Sequence, residues 1–151
     1  MYHHWYHILT KTNQCGCPQI LVVEEEFFNR VVMDTALKKL GVTADFAVDG
    51  YDALDQIEER VSAKKECCTF YRCIIMDYRM PQMTGVETTK RIIEKYGQGV
   101  HSSCRPIIAH SAYGEPEMSE FREAGAVGVL AKPLNFEHLS QLLKKHNVLM
   151  Q

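Results

Sequence analysis

The chain has 151 residues, 46% of them hydrophobic, which is enough for one ordinary core and too little for two comfortable domains. A formal charge of -2, from 17 Lys and Arg against 19 Asp and Glu, calls for neither a nucleic-acid backbone nor an anionic membrane as partner. No apolar run approaches the roughly 20 residues of a membrane helix, and the start lacks the basic-then-apolar order of a secretory signal, so the chain reads as cytoplasmic or as the cytoplasmic part of a larger protein. Its cysteines (Cys15, Cys17, Cys67, Cys68, Cys73 and Cys104) include an adjacent pair and an apolar strand position and read as free thiols.

Residues 1–18 read as a flexible leader or the tail of a linker. His3, His4, His7, Cys15 and Cys17 are capable zinc ligands there, but their spacing matches no zinc module. From Gln19 onward, short apolar runs alternate with amphipathic segments, the pattern of strand-helix units on a parallel sheet.

Residues 20–23 predict the first strand, and residues 28–40 predict a helix with Val32, Ala36, Leu37 and Leu40 inward, stopped at Gly41. A second strand over 44–48 leads to a helix over 51–61 with Ala53, Leu54, Ile57 and Val61 on one face. The third strand is CIIM running into Asp77. Thr84 can cap a third helix that turns Val86, Ile92, Ile93 and Tyr96 inward.

After Gly97 a long polar loop, expected to be mobile, leads to a strand over 106–111. A short polar helix over 115–123 is closed by Gly125, a fifth strand covers 127–131, and Asn135 caps a last helix with Phe136, Leu139, Leu142 and Leu143 on one face.

In open α/β sheets, ligands bind beyond the carboxyl ends of the strands. Here those ends deliver Glu24, Glu25 and Glu26, then Asp77, then Ser111, then Lys132 ahead of Pro133. Taken singly, each has an ordinary role as a cap, a solvated acid or a snorkelling lysine. Together they make one rim, where clustered carboxylates repel unless a cation such as Mg2+ sits among them. A carboxylate, a metal, a lysine and a hydroxyl form a minimal phosphoryl-transfer site with Asp77 as nucleophile. His110 and Ser111 do not form a hydrolase pair, because neighbouring strand residues point to opposite faces.

The segments ILVVEEEFFNR, AVDGYDAL, IIMDYRMPQMTG, PIIAHSA and AGAVGVLAKPL closely resemble the receiver domain of two-component response regulators and hybrid histidine kinases. The resemblance covers 19–147 and leaves 148–151 as a tail. It implies a flavodoxin-like, doubly wound five-stranded parallel sheet of order 2-1-3-4-5 with helices on both faces. Asp77 would accept phosphate from a histidine kinase or a histidine phosphotransfer protein and lose it again by slow hydrolysis, with no other enzymatic activity. Mg2+ would be held by Glu25, Asp77 and the backbone carbonyl of Arg79, with Glu24 acting through water. Ser111 would be the switch hydroxyl and Lys132 the phosphoryl-contacting lysine, set before a cis Lys132–Pro133 bond.

The chain departs from the family pattern in having two glutamates where at least one aspartate is usual, Thr84 where aspartate is common, and Val129 in place of an aromatic switch. The expected output surface is the face of the fourth helix, fifth strand and fifth helix, in either a stand-alone regulator or a piece of a hybrid kinase. The rival readings are a pseudo-receiver that binds without phosphorylation, a phosphohydrolase lacking here its paired-aspartate motif, and, weaker, a flavin-binding domain.

Overall fold

The apolar runs form strands β1 (Ile20–Val23), β2 (Ala44–Ala47), β3 (Cys73–Asp77), β4 (Ile107–Ser111) and β5 (Gly128–Ala131) in the computed structural model, which describes residues 16–65, 69–97, 106–112 and 114–149. The helices are α1 (Phe27–Lys39), α2 (Gly50–Ser62), α3 (Gly85–Tyr96), α4 (Glu117–Ala124) and α5 (Phe136–Lys145). Every pairing is parallel, in the order β2-β1-β3-β4-β5. A parallel neighbour needs a crossover, and each helix from α1 to α4 supplies one.

Strands β1, β3 and β4 are buried along their whole length, which is why they read as continuous apolar runs rather than alternating ones. One face of the sheet carries Leu21, Val23, Ile74, Met76, Ile107 and Ala109 against α2, α3 and α4. The other carries Ile20, Val22, Cys73, Ile75, Ile108 and Leu130 against α1 and α5.

The helix ends follow local chemistry. Thr84 accepts from the Glu87 amide at 3.1 Å and Asn135 from the His138 amide at 2.9 Å, so both expected caps form. Gly41, at φ 77°, closes α1 in the left-handed conformation that glycine tolerates.

Four expectations need correction. In α1 the inner face is Met33, Ala36 and Leu37, whereas Val32 is 36% exposed. Phe136 is 41% exposed, because as the first residue of α5 it lies ahead of the turn that packs. Val48 falls outside β2 and is exposed. Cys17 is disulfide-bonded rather than free, with its partner outside the described residues, and Cys73 is a free, buried thiol. The leader histidines and most of the loop expected to be mobile also lie outside the described residues.

Candidate functional site

The strand order changes direction at β1, whose neighbours are β2 and β3, and this crevice is where the open sheet offers a site. Side chains alternate along each strand, so Glu24, Asp77 and His110 continue the face occupied by Val22, Ile75 and Ile108. Asp77 is 5% exposed at the carboxyl end of the central strand. The Lys132 amide donates to the Ser111 carbonyl at 2.9 Å, carrying the ladder one residue beyond β5. From there the lysine reaches back across β4, and its Nζ donates to Asp77 Oδ1 and to Glu24 Oε2, both at 2.9 Å.

Glu24 is held on its other side as well. Its Oε1 accepts from the Glu26 amide at 3.2 Å and from Asn29 Nδ2 at 3.4 Å. Arg30 Nη1 donates to the carbonyls of Glu24 and Glu25 at 2.9 and 2.7 Å, folding the first turn of α1 back over the loop. Sequence reasoning missed this bracing, although an Asn and an Arg one turn past an acidic cluster are the signal that could have shown it.

Two buried carboxylates share one ammonium, which leaves one negative charge in excess. Burial pushes Asp77 up to about 6, Lys132 and the Tyr78 amide opposing and the charge of Glu24 adding to it. Burial pulls Lys132 down, but its bonds to Asp77 and Glu24 outweigh that, and its net shift is upward.

The other candidates fall around this triad. Ser111 is buried at the end of β4, one residue beyond His110, the register partner of Asp77. Glu25 and Arg79 are both exposed. The Lys132–Pro133 peptide is cis, as expected, and so is Glu115–Pro116. Among the described residues, no three Asp, Glu, His or Cys side chains converge into a ready-made metal cage. The donor set nevertheless fits Mg2+ chemically, since it offers hard carboxylate oxygens with uncompensated negative charge and Glu25 adjoins it in sequence.

Gly85 was unremarked in the sequence and is a fixed part of the site. Its amide donates to the Tyr78 carbonyl at 2.8 Å, and a methyl group on its Cα would overlap the Asp77 carbonyl oxygen and press on Phe121. Tyr78 packs its ring edge-on against Phe121 of α4, with centroids 5.6 Å apart, so the residue after Asp77 touches a helix of the expected output face. Val129 is half-buried against the same cluster.

This arrangement, a doubly wound sheet presenting a strand-end aspartate to a lysine and an acidic crevice, is that of a phosphoacceptor signalling domain. The family model for the response regulator receiver domain matches residues 20–144, and the chain belongs to that family, a signalling module of two-component phosphorelays. A rice protein, two-component response regulator ORR41, is 37% identical over 131 residues, covering 84% of this chain and 92% of its own length. Hybrid signal transduction histidine kinase I of Dictyostelium discoideum is 32% identical over 126 residues, which are 83% of this chain but only 7% of that kinase. The solved receiver domain of sensor histidine kinase PA1611 from Pseudomonas aeruginosa has a magnesium ion coordinated in its active-site cleft; it is 27% identical, with a TM-score of 0.68 over 85% of this chain and 97% of its own. No helix of the described residues is long and apolar enough to cross a membrane.

Proposed function

We propose that Asp77 is the phosphoacceptor of this receiver, a reading carried by Lys132 bridging Asp77 and Glu24 at 2.9 Å each. An oxygen of the Asp77 carboxylate attacks the phosphorus of a phosphohistidine, the P–N bond breaks, and the donor imidazole leaves. Lys132 follows the charge from the carboxylate to the phosphoryl oxygens, and Ser111 supplies the hydroxyl that turns toward them. When bound, Mg2+ would neutralise the phosphoryl oxygens and the acidic crevice, held by Asp77, Glu25 and the backbone carbonyl of Arg79, with Glu24 acting through water. The phosphorylatable unit is residues 19–147, with 1–18 a leader or linker remnant; of the expected tail 148–151, Val148 is buried and Leu149 packs against the core beside α5, so these two belong to the folded unit.

The donor is a histidine kinase or a histidine phosphotransfer protein. A donor imidazole must come down on the rim, and α1, which begins three residues past Glu24, exposes Phe27 and Phe28 at 73% each beside Val31 and Val32. An apolar surface of that kind beside a reacting carboxylate suits a docked helical partner. Output passes through α4, β5 and α5, where Phe136 is exposed, as is Val127 in the connection just before β5.

The test is intact mass and peptide mapping after incubation with a small-molecule phosphodonor and Mg2+. The wild type should gain one acid-stable, base-labile phosphoryl group on Asp77, and Asp77→Asn should gain none; equal labelling of the two would refute the assignment.

The exposed position of Glu25 favours one second reading, a pseudo-receiver that binds its partner without phosphorylation. Thermal melting separates the two. If Mg2+ binds only the native state, a concentration tenfold above its dissociation constant adds about 1.4 kcal/mol, which is about 4 °C in midpoint. Glu25→Gln should abolish most of that rise while leaving the metal-free midpoint within about 1 °C, since an exposed charge contributes little. A wild-type midpoint indifferent to millimolar-range Mg2+, together with an unlabelled Asp77, would select the pseudo-receiver.

A further inference from the structure

His110 is a buried polar residue for which the phosphoacceptor chemistry has no use. It lies in β4 directly opposite Asp77 on one side and Leu130 of β5 on the other, and it is 6% exposed. It shares the sheet face of Glu24 and Asp77. Strand β4 separates β5 from β3, so the Lys132 side chain has to pass over this strand end to reach Asp77 on β3 and Glu24 beyond it. The imidazole is therefore in the layer beneath the lysine stem. Burial, and after it the charge of Lys132, push His110 down to about 4, so the ring is neutral at ordinary pH.

A hydrogen-bond count leaves two valences open. Lys132 Nζ has three protons and gives two of them to described residues, one to each carboxylate. Among the described residues, His110 Nε2 is fully covered and has no partner. A buried polar atom without a partner is costly, whereas an aliphatic residue of similar volume would fill the same space at no such cost. An acceptor at that place is available to the site in another of its states. Phosphorylation creates that state, because an Asp77 oxygen bonded to phosphorus is no longer a charged acceptor and the ammonium must change its partners.

Resting on the reading of Asp77 as phosphoacceptor, we propose that His110 is a positioning residue for Lys132: its Nε2 lone pair accepts the third ammonium proton as the phosphoryl group arrives, holding the lysine over Asp77 through the transfer. The ring does this as the neutral tautomer protonated on Nδ1. It touches neither phosphorus nor the donor. It supplies an acceptor when the lysine trades a carboxylate oxygen for phosphoryl oxygens. A Leu or Met at the same place fills the floor but leaves the ammonium free to swing toward Glu24 alone.

The experiment compares wild type, His110→Met and His110→Gln, each saturated with Mg2+ and treated with a small phosphodonor over a concentration series. Asp77 labelling of the wild type is the control for the underlying reading, and it stands or falls separately. His110→Met removes the orphan nitrogen, so its midpoint should match or exceed that of the wild type, while its maximal phosphorylation rate falls about tenfold at an unchanged half-saturating donor concentration. His110→Gln places an amide oxygen at similar reach and should recover most of the lost rate. In the wild type, the nitrogen NMR signal of His110 Nε2 should move toward the hydrogen-bonded range on phosphorylation. A His110→Met rate within twofold of wild type would overturn the proposal, as would equal losses in the Met and Gln variants or an Nε2 signal that does not respond. If the Met variant is unstable, the Gln variant and the NMR signal decide alone, and failure of either to behave as stated overturns the proposal.

Discussion

Lys132→Ala should lower the rate of phosphoryl transfer to Asp77 by about two orders of magnitude, the usual size of losing one preorganised charge in a dry site. The side chain is the sole cation bonded to the Asp77 carboxylate among the described residues, and it is four-fifths buried, with 19% exposed. Its removal leaves Glu24 and Asp77 facing each other without compensation. The fold should lose about 3 kcal/mol at pH 8, as expected when one partner of a buried pair is taken away. Asp77 is already raised to about 6 with the lysine present, and without it the value rises further. A carboxyl whose folded pKa exceeds its unfolded one binds its proton more tightly in the native state. The variant therefore regains stability as pH falls from about 8 through the raised pKa toward about 4, and wild type should show a smaller change of the same sign. Stopped-flow phosphorylation and denaturant melts across pH measure both effects. A rate within a factor of about two of wild type would remove Lys132 from the site.

Gly85→Ala should be the most damaging single methyl among the described glycines. The added carbon would overlap the Asp77 carbonyl oxygen, and the Gly85 amide is bonded to the next carbonyl, that of Tyr78, so α3 cannot simply back away. Overpacking against backbone at this level costs about 3 kcal/mol, or about 10 °C in midpoint, and should displace Asp77 enough to slow its labelling. Gly41→Ala is the informative contrast. Nothing lies within 4 Å of a Cβ built there, and only the φ of 77° is strained, so a loss of about 1 kcal/mol with unchanged labelling is expected. Equal losses at the two positions would show that the close approach at Gly85 is tolerated.

Much of this was legible in the sequence because the strands are buried on both faces. CIIM before Asp77 and ILVV before Glu24 cannot be solvent-facing helix turns, and their spacing dictates crossovers and hence a parallel sheet. Strand order then brings Glu24, Asp77 and Lys132 to one rim. What could not be read was direction. Glu24 and Glu25 are equivalent in composition, yet one is sealed against Lys132 and the other is exposed, because the Glu24 amide still pairs with the Ala47 carbonyl just past the end of β1 and keeps the strand's alternation, which sends consecutive side chains to different environments. Val32 and Met33 are equally apolar, and only the docking of α1 on the sheet decides which is inside. The short reach between Gly85 and Asp77 depends on the loop from Tyr78 to Thr84, whose path no hydrophobic period reveals. Cys17 escaped for a different reason: a disulfide depends on the geometry of two chain segments, not on cysteine spacing.

The central position of β3 also constrains the order in which the chain can be made safe during synthesis. As the polypeptide emerges, Cys73–Asp77 can align with Ile20–Val23 at once, but its other edge has no neighbour until Ile107–Ser111 has been added. Through that interval a proline-free apolar segment presents open backbone groups on one side, the circumstance in which strands of separate nascent chains join edge to edge. The fold cannot be halved there. A fragment ending before β4 would keep Asp77 yet carry a permanently sticky edge, so this carboxylate is protected only once most of the domain has been translated.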